Sequence, residues 1–303
     1  MKKRNIQQFL LPILILIALL CFIQYAIDYG YDSRSTHKFS EVFRHRADAE
    51  VMIFGSSVAY QDIDPRIIQG ATGKTSYNMG WDGIFFVQYN CLIKEYLSYE
   101  SQCRYIVIAC DFENLGKNEL ISRPDLFMAY VNNNHVYQSL HEIEPVKIFC
   151  SRFIPGYKLT ILNKNFYKDM LMSAPDSNSL LGFGPSHEAW DKTGDEKPEN
   201  ARYDEHIFNE LRSTIDEINK KGIKVILVMT PVYEAGYKLI PNSEWIKSKY
   251  RSLSNKDVYF LDYTADSMCK TKAYFHNYGH LNETGANVFS HTFTNDLLRI
   301  IHE

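Results

Sequence analysis

Five short runs rich in β-branched and apolar residues, at 50–54, 76–79, 104–110, 223–229 and 258–261, constrain this chain most. Stretches with helical patterning separate them, at 85–99 and 204–221 and finally from Glu283 to about residue 301. Gly222 stands where a helix closes in the left-handed conformation, and Asn282 stands where the last helix needs an N-cap. Runs this short, mostly apolar and alternating with helices, read as parallel strands covered on both faces. The expected fold is a three-layer α/β/α, flavodoxin-like domain around a parallel sheet of about five strands.

Two regions fall outside the alternation. At the N-terminus, Lys2-Lys3-Arg4 leads into residues 9–27, where Gln24 is the only strongly polar side chain. A helix of that length spans roughly 28 Å, close to the hydrocarbon thickness of a bilayer. The basic flank predicts a cytoplasmic N-terminus and an extracytoplasmic C-terminal domain. A cleaved signal peptide is the competing reading. Against it, the residues after the run offer no small-x-small site, and Leu20 before Cys21 is too large for a good lipobox. The expected division is 1–27 as cytoplasmic tip and transmembrane anchor, 28–48 as a stalk or short lead-in helix, and 49–303 as the α/β domain. Within that domain, 117–200 breaks the pattern. It carries Arg123-Pro124, Asn132-Asn133-Asn134-His135, Asn165-Phe166-Tyr167 and Gly182-Phe183-Gly184-Pro185, and ends in charged residues 191–200. This insertion either overhangs the end of the third strand, where loops set specificity, or is a surface excursion.

Charge and cysteines narrow the function classes. The chain carries a net charge of -3, and its first 27 residues contribute +3, leaving -6 on the remainder. With no Lys/Arg run on that remainder, a nucleic-acid role has little support. Beyond Cys21 there are Cys91, Cys103, Cys110, Cys150 and Cys269, an odd number without metal-type spacing. They read as small core residues, with at least one free thiol even if export permits disulfides.

Gly55-Ser56-Ser57 follows the first strand, and Asn277-Tyr278-Gly279-His280 precedes the last helix. Ligands in open α/β sheets gather at the C-terminal ends of the strands. A serine hydroxyl is a weak nucleophile until a neighbouring base takes its proton, so Ser57 and His280 matter as a pair.

At these motifs the chain resembles the SGNH (GDSL-like) hydrolase superfamily. Within it, it is similar to the membrane-anchored envelope branch that includes the teichoic-acid D-alanyl transfer protein and the alginate O-acetylation proteins. The Gly-Asp-Ser nucleophile motif appears as Gly55-Ser56-Ser57, and the closing block as Asn277-Tyr278-Gly279-His280-Leu281-Asn282-Glu283-Thr284-Gly285-Ala286. Asn78-Met79-Gly80-Trp81-Asp82-Gly83 matches the second block. The resemblance implies Ser57 as nucleophile, His280 as base, and the backbone amides of Ser57 and Gly83 as oxyanion donors. Asn114, in Asp111-Phe112-Glu113-Asn114, is a looser candidate for the third block's oxyanion amide. Asn277 stands where the triad acid is expected. It can orient His280 through its side-chain oxygen but adds no negative charge, and Asp262 and Asp266 are alternative acids. Trp81 and Asp82 beside the Gly83 turn, and Arg123, His135 and Tyr233, are pocket-edge candidates.

The resemblance implies a serine-dependent acyl transferase or esterase, for O-acetyl or similar groups on cell-envelope glycan. It implies no metal or organic cofactor, and a multi-spanning membrane acyltransferase as partner. The alternative is a catalytically silent binding or scaffold component of a polysaccharide-modification complex.

Overall fold

The computed structural model describes residues 2–34, 38–162, 164, 180–188, 190 and 197–303. All five expected strands are present, each end within one residue of its expected place: β1 (Val51–Phe54), β2 (Ser76–Asn78), β3 (Tyr105–Cys110), β4 (Lys224–Met229) and β5 (Val258–Asp262). They pair in parallel, in the order β2-β1-β3-β4-β5. That order reverses between β1 and β3, the switch point where doubly wound sheets open a crevice.

The helices follow in chain order as α1 (Lys2–Arg34), α2 (Lys38–Phe43), α3 (Ser57–Asp62), α4 (Pro65–Thr72) and α5 (Phe86–Tyr96). The inserted stretch contributes α6 (Pro124–Phe127), α7 (Asn134–Ile143) and α8 (Pro145–Phe153). Then come α9 (Glu205–Lys220), α10 (Glu234–Tyr237), α11 (Ser243–Arg251) and α12 (Glu283–His302). Asn282 caps α12 by accepting the Gly285 amide at 3.0 Å, and Gly222 takes φ +74° just past α9.

Side-chain alternation on the strands builds two core layers. Met52, Phe54, Ile106, Ile108, Val225 and Leu227 face the layer of α5, α9 and α11. Val51, Ile53, Val107, Ala109, Ile226 and Val228 face α3, α4 and α12. Both sheet faces are covered, which is why β1, β3 and β4 are almost wholly apolar, whereas the edge strand β2 is Ser76-Tyr77-Asn78.

Among the described residues one helix is long and apolar enough to cross a membrane: Gln8–Tyr31, 24 residues, with a mean hydropathy of 2.7 over an 18-residue stretch of it. The 28–48 segment, expected as a stalk or short lead-in helix, continues α1 to Arg34 and then forms the short helix α2, packed on α5. Tyr31, Phe39 and Val42 are buried in the first core layer. Residues 165–167 and 191–196, singled out in the insertion, lie outside the described residues. All six cysteines are free thiols, and Cys91, Cys103, Cys110 and Cys269 are buried.

Candidate functional site

The turn after β1 fixes the serine. Gly55 has φ +155°, and a Cβ there would lie 2.8 Å from the Ala59 Cβ and 3.0 Å from the Ala109 Cβ. Only glycine lets β1 enter α3 this tightly. Ser57 is the first residue of α3, so its N–H is among the donors that a helix start leaves without an intrahelical partner. Ser56 turns the other way and donates to Asp111 Oδ2 at 2.8 Å.

Asp111 is the knot that holds β1 to the end of β3. Its carboxylate also accepts the amides of Glu113 and Asn114, at 2.8 and 2.7 Å, and Asn114 Nδ2 at 2.9 Å. Enclosure pushes this carboxyl above its ordinary range, while those hydrogen bonds pull it down. The structure therefore does not bring Asn114 to the serine: its side-chain amide is committed to Asp111, and the segment presents Asp111, Phe112 and Glu113 to the cleft.

His280 arrives on the loop before α12. Ser57 Oγ and His280 Nε2 are 2.7 Å apart. Asn277 Oδ1 accepts the amides of Gly279 (2.9 Å) and His280 (3.0 Å) and faces His280 Nδ1 at 3.0 Å. An oxygen that takes two backbone N–H groups can only accept, so Nδ1 carries the hydrogen and Nε2 is left to receive the serine proton. Asp262 is elsewhere, bonded to Thr264 and paired with Lys247 at 3.1 Å, and Asp266 caps the turn Ser267–Lys270. With an amide as the Nδ1 partner, burial pulls His280 down to about 4; the His276 ring pushes the same way and Asp82 opposes.

Two contacts that sequence reading missed lock α3 to the histidine loop. Gln61 Oε1 meets His276 Nε2 at 3.0 Å, and Asp62 Oδ1 accepts the Leu281 amide at 3.1 Å. Gln61 stands four residues after Ser57, hence on the same helix face. Asp62 is buried, and burial pushes its carboxyl well above the usual range against hydrogen bonds from Leu281 and Thr230. Asn277 Nδ2 faces His276 Nδ1 at 3.5 Å, the long limit of a hydrogen bond. The side chains thus run as Ser57, His280, Asn277, His276, Gln61, and return to the helix that Ser57 opens.

Two clefts converge on His280 and Asp82. One, of about 320 Å³, is walled mostly by apolar side chains including Ile84, Phe85, Phe112, Met229, Val232 and Ile240, with Ser57 and Gly83 on its lining. The other, of about 650 Å³, is lined by polar groups including Gln61, Ser186, Glu188, His276 and Asn277. Gly83 has φ +71°, so the turn that brings its backbone to the first cleft favours glycine. Asn78 braces that region, donating to the carbonyls of Ala59 and Ile63 at 2.7 and 2.8 Å.

The remaining candidates divide. Asp82 lines both clefts, whereas Trp81 stacks on Tyr60 with 5.1 Å between ring centroids. Arg123 pairs with Asp125 at 2.7 Å beside Gly83, and His135 opens α7 with its amide held by Asn133. Tyr233 buttresses the histidine loop from behind, packing on Trp190, Phe275 and Tyr278. Among the described residues, Glu142, His206 and Glu210 form a surface group with metal-like spacing, and it lines neither cleft.

Comparisons with known proteins found distant likeness. A family model matches residues 195–302, about a third of the chain. No curated protein matches. Among solved structures, a provisionally assigned platelet activating factor from Streptococcus pneumonia is similar at 13% identity and TM-score 0.45, covering 95% of this chain and 99% of that one. A provisionally assigned acylhydrolase from Bacteroides fragilis is similar at 13% identity and TM-score 0.38, covering 82% of this chain and 87% of that one. Likeness this distant carries no argument about chemistry, which rests on the side chains themselves.

Proposed function

We propose that this chain is a membrane-anchored, extracytoplasmic SGNH-like acyl transferase or esterase acting on cell-envelope glycan. One observation carries the chemistry: the 2.7 Å contact of Ser57 Oγ with His280 Nε2 where an apolar and a polar cleft meet. His280 takes the Ser57 proton as Oγ attacks an ester or thioester carbonyl. The backbone amides of Ser57 and Gly83 receive the developing oxyanion, the type of contribution that is usually largest in acyl transfer. The protonated His280 then returns its proton to the leaving group, giving an acyl-serine. The apolar cleft takes the acyl group; at about 320 Å³ it holds the volume of about ten liquid waters, room for more than an acetyl. The polar cleft offers Gln61, His276 and Glu188 to a hydroxyl-rich acceptor, or admits water. The envelope glycan as acceptor, and a multi-spanning acyltransferase as supplier of the acyl group, follow from the motif resemblance and the N-terminal helix.

The test uses the full chain and Ser57→Ala. Wild type is expected to hydrolyse aryl esters and to be labelled at Ser57 by a fluorophosphonate. The variant should lose about a thousandfold or more in kcat. Turnover that survives Ser57→Ala overturns the proposal.

A second reading, a silent binding component, is favoured by the uncharged Asn277 at the triad acid's place and by the commitment of Asn114 to Asp111. It requires that Ser57→Ala leave cell-surface acylation intact while deletion of the domain abolishes it.

A further inference from the structure

α8 carries an apolar stripe that the domain does not cover. Val146 (75% exposed), Phe149 (49%) and Phe153 (55%) follow the i, i+3, i+7 spacing of one helix face, and Ile154 (46%) follows just past the helix end in extended backbone. Ile148 and Ser151, on the other face, are buried. An exposed stripe alone would not say what covers it, but its position along α1 does. Just after α8, the Gly156 amide donates to Gln24 Oε1 at 2.9 Å. A Cβ on Gly156 would lie 3.1 Å from Leu20 Cδ2, so backbone and helix touch here. Two residues further on, the buried Lys158 pairs with Asp28. Leu20 and Gln24 lie inside the apolar run that ends at residue 27, and at 1.5 Å per residue they sit about 5–10 Å below its end. Amphipathic helices that lie on a bilayer bury their apolar face to about that depth, 5–10 Å into the boundary of headgroups and acyl chains.

We propose that the Val146, Phe149, Phe153 and Ile154 face is a second membrane contact, seated in the interfacial layer of the bilayer that α1 crosses. The inference rests on the anchor reading of α1 and is independent of the chemistry at Ser57. Span and stripe together hold the domain in one posture on the membrane instead of letting it swing from a tether. The charges nearby are arranged to permit this. Lys147 is neutralised by Glu144 at 3.0 Å, and the Arg152 guanidinium lies over the Tyr137 ring at 4.5 Å.

The experiment reads depth from single bimane labels on the full chain in phosphatidylethanolamine–phosphatidylglycerol vesicles. Cysteines replace Val146 or Phe153 in a Cys21→Ser, Cys150→Ser background. Phe22→Cys on α1 and the exposed Glu217→Cys on α9 serve as references. Labels at 146 and 153 are expected to be quenched by acyl-chain nitroxide lipids to the degree seen at 22, while 217 responds only to aqueous iodide. If 146 and 153 respond to iodide while 22 responds to lipid, the anchor stands and the second contact is overturned. Shielding of 146 and 153 from both quenchers also overturns it, and assigns the stripe to a protein partner or a second copy. A label at 22 that responds to iodide instead removes the anchor reading itself.

Discussion

At the scale of single residues, the site differs from a serine–histidine–aspartate triad by one atom pair: the amide of Asn277 where a carboxylate would stand. Its oxygen already receives three N–H groups, those of Gly279 and His280 and the His280 ring. Asn277→Asp would therefore keep the geometry and add charge. A base works only when neutral, so with His280 pulled down to about 4, activity should hold through mildly acidic pH and fall as pH drops through about 4. A carboxylate beside Nδ1 stabilises the imidazolium and raises that value. In Asn277→Asp the acid limb of kcat/KM for aryl ester hydrolysis should move up by one pH unit or more, equivalent to about 1.4 kcal/mol per unit. An unmoved limb would mean that the Asn277–His280 contact does not govern the base. Gln61→Ala tests the far end of the same chain of side chains. It removes the His276 partner without touching Ser57 or His280, and kcat should fall about tenfold with KM little changed. A loss confined to KM would show that Gln61 acts through acceptor binding alone and not through His276. Ser57 and His280 were legible because each stands in an extended motif, one at the end of β1 and the other just before α12. Gln61, Asp62 and Asp111 were not, because their partners lie 215, 219 and 55 residues away and local patterning carries no trace of such pairings. Asn114 shows the opposite error: the right residue type near the right strand, with its side chain already bound to Asp111.

At the scale of elements, the strands were readable to within a residue because both sheet faces are covered, so the central strands β1, β3 and β4 are almost unbroken apolar runs. The short α2 was legible only as one of two readings of 28–48, a stalk or a lead-in helix, because what places it is one buried amine. Lys38 Nζ donates to the carbonyls of Asn78 and Gly182, at 3.0 and 2.7 Å, and lies over the rings of Tyr60 and Trp81. It joins the element after the span to the end of β2 and to the inserted loop that leads into the polar cleft. A lysine reads from sequence as a solvated charge, and only tertiary contacts show otherwise. Burial pushes its amine well below the ordinary lysine range. The unfolded chain then binds more protons than the folded one between that lowered value and about 10.4, so this group makes stability rise with pH across the window. Lys38→Met should flatten that rise. It also removes two hydrogen bonds to carbonyls that stay buried, at a cost of about 1–3 kcal/mol each. Denaturant midpoints measured from neutral to alkaline pH check both, and an unchanged slope would show that the amine is charged and solvated in the folded protein.

For the whole molecule, the question is what supplies stability outside the reducing cytoplasm if the α/β domain is exported. Small exported domains are commonly stapled by disulfides because their cores are small. Here helices cover both faces of a five-stranded sheet, and a chain near this length buries about 75% of the surface its unfolded form exposes. Four of the six cysteines are buried: Cys91, Cys103 and Cys110 pack in the first layer, and Cys269 is buried in the turn Ser267–Lys270 between β5 and α12. Burial pushes the Cys103 and Cys269 thiols up to about 11, far from the thiolate form that forms or exchanges disulfides. The protein should therefore need no reductant and gain nothing from an oxidant. Unfolded in denaturant without reduction, it should titrate six thiols per chain, the full cysteine count. Its thermal midpoint should be the same with and without dithiothreitol. A titre of four or two, together with a midpoint that falls on reduction, would show that export installs a cross-link the folded thiols do not make.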